Sequence, residues 1–473
     1  MPRTTVRIGN GCGFWGDNLD APVELACRAH LDYLTLEYLA ELTMSILAVQ
    51  RTKDPQAGFA TDFLDVLERL GPQLLAQPNL RIVTNAGGMN PAGCAAKARA
   101  ILEKNRLENR TIAVVTGDDL LPRLDELAAA GHALAHLDTG EPLAAVRDRV
   151  VSANAYLGSR PIAEALRLGA SVVITGRVAD AALTVGPAAF EHGWAWDDWD
   201  RLAGATVAGH LIECGAQATG GLWCNWTEAP DLANVGYPIA EVDADGMCRI
   251  TKPAGTGGAV NVETVSEQLM YEVGDPAAYL TPDVVADFTS VALRDRGGDV
   301  VEVTNPRGKP ATDSYKVSIA YRDGYASAGT LVIFGPDAPA KARWAGAMIL
   351  DRLKRAGYEY AHSNVEALGA GDCVPGVVPG NKPQIPSTKS QDGTLGFGAW
   401  DLGFPPEVVL RVAVRDPRRS ALERFTKEFA PLVTSGPPGT TGYTTGRPPV
   451  REVFAYWPAL VAKAAVTADV RLV

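Results

Sequence analysis

Cysteine and histidine are scarce, with 7 and 6 among 473 residues. The cysteines (Cys12, Cys27, Cys94, Cys214, Cys224, Cys248, Cys373) are dispersed, odd in number and form no C-x-x-C pair. That speaks against a disulfide framework or a zinc ribbon and for reduced thiols in the cytoplasm. Positive charge is also short: 44 Lys and Arg stand against 55 Asp and Glu, a formal net charge of -11. A nucleic-acid partner, which needs clustered cations, is therefore not expected. No uncharged apolar run approaches the ~20 residues of a membrane span. The N-terminal "MPRTTVRIGNG" lacks the apolar core of a signal peptide. The composition, 47% hydrophobic and 21% charged, is that of an ordinary globular chain with room for two or three domains.

What the chain does have is alternation. Apolar runs at 5–10, 31–37, 80–88, 111–119 and 171–177 read as strands. Helical patterns separate them at 21–30, 38–51, 58–76 and 91–105. This predicts an α/β fold with a Rossmann-like, mostly parallel sheet in the N-terminal half. A helix over 197–215 then leads into a β-rich α+β region from about 235, with a helix near 261–273. Asp323-Gly324, inside "SYKVSIAYRDGYASAGTLVIFG" (314–335), signals a hairpin. Helices at 338–357 and 418–433, with strands near 358–367, 407–415, 450–457 and 465–472, suggest a ferredoxin-like C-terminal domain. The expected division is 1–335 and 336–473, the second domain borrowing the 314–335 hairpin. Gly- and Pro-rich loops at 369–405 and 434–449 are lid candidates.

Ligands bind parallel sheets at the carboxyl ends of the strands. Five predicted strand tips carry glycine or a polar group there. They are Gly11-Cys12-Gly13, Glu37, Asn85-Ala86-Gly87-Gly88, Gly117-Asp118-Asp119 and Gly176-Arg177. Glycine alone makes turns, whereas Glu37, Asn85, Asp118 and Arg177 are not turn requirements. Gly11, Gly13 and Gly16 spell G-x-G-x-x-G, with Glu37 placed as a ribose-binding acid would be. Yet Asp17, Asn18, Asp20 and Pro22 delay the next helix to about residue 21, and the two aspartates would repel a pyrophosphate. Asn85, Gly87 and Gly88 precede a helix, as does the Gly-rich Thr256-Gly257-Gly258, and both loops resemble anion cradles. In "SVVITGRVAD", Gly176 leads to Arg177, an anion clamp, and Asp180, its partner or a base. "GHLIECGAQATGG" places His210, Glu213 and Cys214 on neighbouring helical positions, with Gln217 just beyond as a binding residue. Its apolar setting should desolvate Glu213 and make it an acid/base candidate. Too few further ligands are in sight for a metal.

Several long motifs in fixed order resemble the acyclic terpene utilisation protein A (AtuA) family. They are "IGNGCGFWGDNLDAPVELA", "LDYLTLEYLAELTM", "IVTNAGGMNP", "ANAYLGSRPIAEALRLGASVVITGRVADAAL", "GHLIECGAQATGGL", "KPAGTGGAVNVETVSEQLMYEVGDPAAYLTPDV" and "RGKPATDSYKVS". The resemblance covers roughly residues 5–365. It implies a place in the catabolism of branched acyclic terpenes through coenzyme A thioesters. The resulting expectation is a cytoplasmic, homo-oligomeric enzyme acting on an acyl-CoA or related carboxylic acid derivative. Hydratase, dehydratase or C–C lyase chemistry fits best, with Asp118, Asp180, Glu213 and Arg177 as catalytic residues. Gly11, Gly13, Glu37, Asn85, Gly87, Gly88, Gly176, Gln217, Thr256, Gly257 and Gly258 are expected to bind the substrate, which itself carries any coenzyme A. No separate cofactor, metal, nucleic acid or membrane is expected. Two readings stay open beside it: a non-catalytic assembly subunit of a coenzyme A pathway, and an NAD(P)-dependent oxidoreductase.

Overall fold

The computed structural model describes residues 4–373, 406–442 and 446–473. Most of the first lid candidate and 443–445 of the second lie outside the described residues. The chain divides into two compact units. One comprises Met1–Tyr321 with Tyr456–Val473, the other Arg322–Ala455.

The first unit is mixed α/β, built on a ten-stranded sheet. Its centre is parallel: β1 (Thr5–Asn10), β2 (Tyr33–Leu36), β3 (Arg81–Thr84), β6 (Val172–Thr175) and β4 (Ile112–Thr116) lie side by side in that order. Strand β5 (Val150–Ala155) leaves this sheet and pairs antiparallel with the long strand Ser314–Phe334. Beyond β1 the sheet continues antiparallel through β7 (Ile239–Asp243), β8 (Cys248–Thr251) and the strands Val301–Thr304 and Ala292–Asp295. At the other end Asp469–Leu472 pairs antiparallel with β4, so the C-terminal segment returns to the first unit. The sheet is open, with Ala292–Asp295 and Asp469–Leu472 at its ends.

The central strands are apolar throughout because both faces are covered. Successive side chains alternate between two cores. Ile112, Val114, Val172 and Ile174 face one, under helices α1 (Ala21–Arg28), α2 (Glu41–Lys53), α3 (Asp62–Arg69), α4 (Gly71–Ala76) and α5 (Pro91–Lys104). Ala113, Val115 and Val173 face the other. Helices α6 (Leu124–Ala129), α7 (Arg160–Arg167), α8 (Ala182–His192) and α9 (Trp199–Glu213) supply that core. The predicted helix 58–76 is two helices, α3 and α4. The break falls at Leu70, just before Gly71-Pro72, where proline withholds the N–H that would continue the ladder.

The second unit carries its own core. Ala338–Arg355 and Arg419–Phe425 cover a sheet of His362–Leu368, Glu407–Asp416, the Tyr325–Phe334 stretch and Thr440–Thr441, burying Leu331, Ile333, Ile349, Leu410, Val412 and Phe425. The hairpin expected at Asp323-Gly324 does not form. Ser314–Phe334 is one strand, pairing with β5 over Val317–Tyr321 and with Glu407–Asp416 over Tyr325–Phe334. Gly324 takes φ +83°, and a side chain there would press on the Asp416 carbonyl. The glycine thus serves a close backbone approach within the strand.

Candidate functional site

A cleft of about 510 Å³ opens at the carboxyl edge of β1 and β2. Gly13, Phe14 and Asp17 line it from the tip of β1, Glu37 and Glu41 from the tip of β2, and Asp180 from the loop after β6. The end of α9 contributes Glu213, Cys214 and Gln217, and Tyr237, Tyr271 and Glu272 complete the wall. The sheet and α9 meet closely there because Asn10 Nδ2 donates to the last carbonyls of the helix, Ile212 at 2.7 Å and Glu213 at 3.1 Å. Gly13 permits the approach: a Cβ would sit 2.8 Å from the Cys214 carbonyl carbon. Gly11 does the same against Pro22 at the start of α1.

Glu213 ends α9 with its side chain largely buried and its Oε1 3.0 Å from His210 Nδ1. Burial pushes its carboxyl up to about 7, against the pull of His210 and with a further push from Asp180. His210 lies buried beside the rings of Tyr279 and Phe288. Its Nε2 is 3.0 Å from the Gln268 carbonyl, an acceptor only, so Nε2 carries a proton. Burial alone would lower the His210 pKa, but Glu213 beside it raises it overall. One further proton is therefore shared across the Nδ1···Oε1 contact, while Glu213 Oε2 has no partner among the described residues. Sequence reasoning placed His210 near Glu213 and Cys214 but did not count it among the site residues. The signal was the i, i+3 spacing to Glu213. Burial pushes the Cys214 thiol up to about 12, with Glu213 adding to it, so little thiolate forms at neutral pH.

Arg177 is 1% exposed and lies behind the cleft wall. Its guanidinium donates to the Leu39 carbonyl and, at 2.6 Å, to Asp180 Oδ1, and it stacks over Tyr156 with 4.1 Å to the ring centroid. Asp180 itself is 38% exposed toward the cleft. Burial raises its pKa and Arg177 pulls the other way. Glu41, which sequence reasoning missed, accepts the Tyr156 hydroxyl at 2.6 Å and pairs with Lys316 at 3.2 Å. Burial alone would raise it, but Tyr156, Arg177 and Lys316 hold its carboxyl at about 2. The motif "LDYLTLEYLAELTM" contains it, but nothing in that motif sets it apart, since its partners come from distant parts of the chain.

Glu37 is buried at the cleft floor. Its Oε1 accepts from the Leu39 N–H at 2.9 Å and from Asn85 Nδ2, and Oε2 has no partner. Asn85 also accepts the Tyr38 N–H at 2.8 Å, joining the tips of β2 and β3 from within.

The other predicted residues lie away from the cleft wall. Asp118 is buried, its Oδ2 accepting from the Arg177 N–H at 2.9 Å and Asn154 Nδ2 at 2.8 Å. It ties the tips of β4, β5 and β6 together, and burial pushes its carboxyl up to about 6 despite those bonds. Gly176 passes close against the Asp118 carboxylate, where a Cβ would collide. Gly87 packs against Pro91 and the Thr175 carbonyl, and Gly88, at φ +48°, donates its N–H to the Asn85 carbonyl at 3.1 Å. In the 256–258 loop, Gly257 N–H donates to Asn234 at 2.7 Å and Gly258 N–H to Pro230 at 2.6 Å, while the Thr256 hydroxyl donates to Pro253 at 2.6 Å. At the tip of β1 the Gly13 N–H donates to Asp17 at 2.8 Å.

Among the described residues no helix is long and apolar enough to cross a membrane, and no group of three or more His, Cys, Asp or Glu is arranged to hold a metal. No curated protein and no solved structure matches the chain. The family model described as "Acyclic terpene utilisation family protein AtuA" matches residues 6–472, so the likeness runs well past residue 365 and takes in both units. The chain belongs to the acyclic terpene utilisation family, AtuA.

Proposed function

We propose that the protein is an enzyme of acyclic terpene utilisation that removes or adds a proton next to the carbonyl of an acyl-CoA or related carboxylic acid derivative, as a hydratase, dehydratase or lyase. The observation that carries this is Glu213: a cleft-lining carboxyl with a pKa near 7, one oxygen shared with His210 and the other buried without a partner among the described residues. A general acid–base needs that balance at neutral pH. In a dehydration, Glu213 Oε2 takes the proton from the carbon next to the carbonyl, and the electron pair moves onto the carbonyl oxygen. When the pair returns to form the C=C bond, hydroxide leaves the next carbon and takes that proton back from Glu213. Water departs and the carboxylate is restored; hydration is the reverse.

Arg177 positions Asp180, whose negative charge adds to the burial that raises the proton affinity of Glu213. Asp118 is structural in this account, because the donors it holds belong to strand β5 and to the loop after β6. The lining residues include six carboxyl side chains and neither Lys nor Arg. The acyl end of the substrate therefore fits the cleft, and the phosphates of a coenzyme A ester would lie outside it. The same lining disfavours NAD(P), as does Asp17 on the Gly13 amide where a pyrophosphate would have to bind.

The experiment is a thermal-shift screen of free coenzyme A, straight and branched acyl-CoAs, free acids and nicotinamide cofactors, followed by turnover assays on the binders. A ligand at ~100 times its Kd adds ~2.7 kcal/mol of stability. Acyl thioesters that stabilise the protein and are turned over, with loss of turnover in Glu213→Gln, support the reading. Binding without turnover favours the assembly subunit, and stabilisation by a nicotinamide cofactor overturns the reading.

A further inference from the structure

The mechanism above uses Glu213 and leaves Glu37 without a role, although Glu37 is the more deeply placed acid. Its two oxygens have different surroundings. Oε1 accepts two N–H groups, from Leu39 and Asn85. Oε2 is buried, unpartnered and part of a cleft-lining residue. An ionised carboxylate would leave charge on a buried oxygen with no donor, which is costly. The nearest cation, Arg177, directs its terminal nitrogens to the Leu39 carbonyl and Asp180 instead. In a neutral carboxylic acid the double acceptor is the carbonyl oxygen and the unpartnered atom is the hydroxyl, a donor that needs an acceptor. Resting on the proposed function, we infer that Glu37 works in its neutral form, Oε1 fixed by Leu39 and Asn85, with its Oε2–H donating to the carbonyl oxygen of the substrate.

The surrounding charges agree. Burial holds the Glu37 carboxyl well above the usual range, and the Asp180 charge adds to this. Arg177 and the bonds to Asn85 and Leu39 oppose it. Cys12, on the tip of β1, is also within range, and its thiol is itself pushed up by burial. A donor at the floor stabilises the negative charge that forms on the carbonyl oxygen when Glu213 takes the proton. A carboxylic acid kept neutral at pH 7 by an apolar site serves enzymes in this way. The inference makes Glu37 a catalytic residue and restricts the substrate to compounds that bring a carbonyl oxygen to the cleft floor.

The test compares Glu37→Gln with Glu37→Leu. Glutamine keeps an acceptor for Leu39 and Asn85 and presents an N–H in place of the O–H. Glu37→Gln should keep kcat/KM within about tenfold, whereas Glu37→Leu should lose on the order of 10²–10³-fold in kcat. A glutamine variant as damaged as the leucine variant would mean that the carboxylate is needed, and would overturn the inference. A second arm needs no substrate. Infrared difference spectra at neutral pH should show a protonated-carboxyl component that is present in both the wild type and Glu213→Gln and is lost in Glu37→Gln. No difference between wild type and Glu37→Gln would show Glu37 ionised and overturn the inference, whatever the turnover assays say of the enzyme.

Discussion

At the tips of β1 and β2, Gly13 and Glu37 line an open cleft, and Glu37 keeps an oxygen free. At the tips of β3, β4 and β6 the polar groups face inward: Asn85 bonds to the tip of β2, Asp118 accepts from the Arg177 N–H, and Gly176 packs against the Asp118 carboxylate. The two halves of the same sheet edge look alike in sequence, each with glycines and buried polar side chains. They differ in what satisfies those side chains. Where the carboxylate is held by donors from neighbouring segments, as Asp118 is by Arg177 and Asn154, the polar group fixes the backbone. Where one atom is left over beside a cavity, the group is available to a ligand.

Mutations should separate the halves. On the cleft side, Glu213→Gln removes the transferable proton and should lower kcat by about 10²–10⁴-fold, with an unchanged circular dichroism spectrum. Comparable turnover in the variant would mean that the chemistry lies elsewhere. Arg177 straddles the comparison, since it is buried yet holds a cleft residue. Arg177→Met should cost about 2–4 kcal/mol, at or below the usual loss for breaking a buried pair because Asp180 is partly exposed. Urea denaturation reads this, and a loss under 1 kcal/mol would show that the Leu39 and Asp180 contacts do little.

On the inward side, Asp118→Asn should change the pH dependence of stability more than activity. The folded-state pKa of Asp118 is raised to about 6, so its contribution is fully present below the unfolded pKa and is lost as the pH rises through 6. Two pKa units correspond to ~3 kcal/mol. Between about pH 4 and 6, the wild type should lose that much stability relative to Asp118→Asn, and parallel curves would contradict the assignment. The smallest effect is expected from His210→Asn. Removing the imidazole removes the influence that lowers the Glu213 pKa, so the limb of the kcat/KM profile near pH 7 should move to higher pH. A limb that stays in place would break the link between the two residues.

Much of the architecture was legible because it follows local rules. The parallel strands announce themselves as apolar runs, and Pro22 and Pro91 mark helix starts. Strand β5 was not legible, since "VVSANA" is interrupted by Ser152 and Asn154 and pairs with a strand some 160 residues away. Asp323-Gly324 misled because a left-handed glycine serves a tight turn and a close backbone approach equally well. At the site, residue type identified the acids but not their exposure. Asp118 and Asp180 follow apolar strands in similar sequence settings, yet one is enclosed and the other opens on the cleft. The carboxyl tips come together only after β6 inserts between β3 and β4, an order that no local pattern encodes.

The central claim is that Glu213 is poised to exchange a proton at neutral pH in the folded protein. Carbon-13 NMR of glutamate carboxyls, with the Glu213 signal assigned from Glu213→Gln, tests it without knowledge of the substrate. The account predicts a titration midpoint at about 7. A midpoint in the ordinary glutamate range near 4 would contradict it.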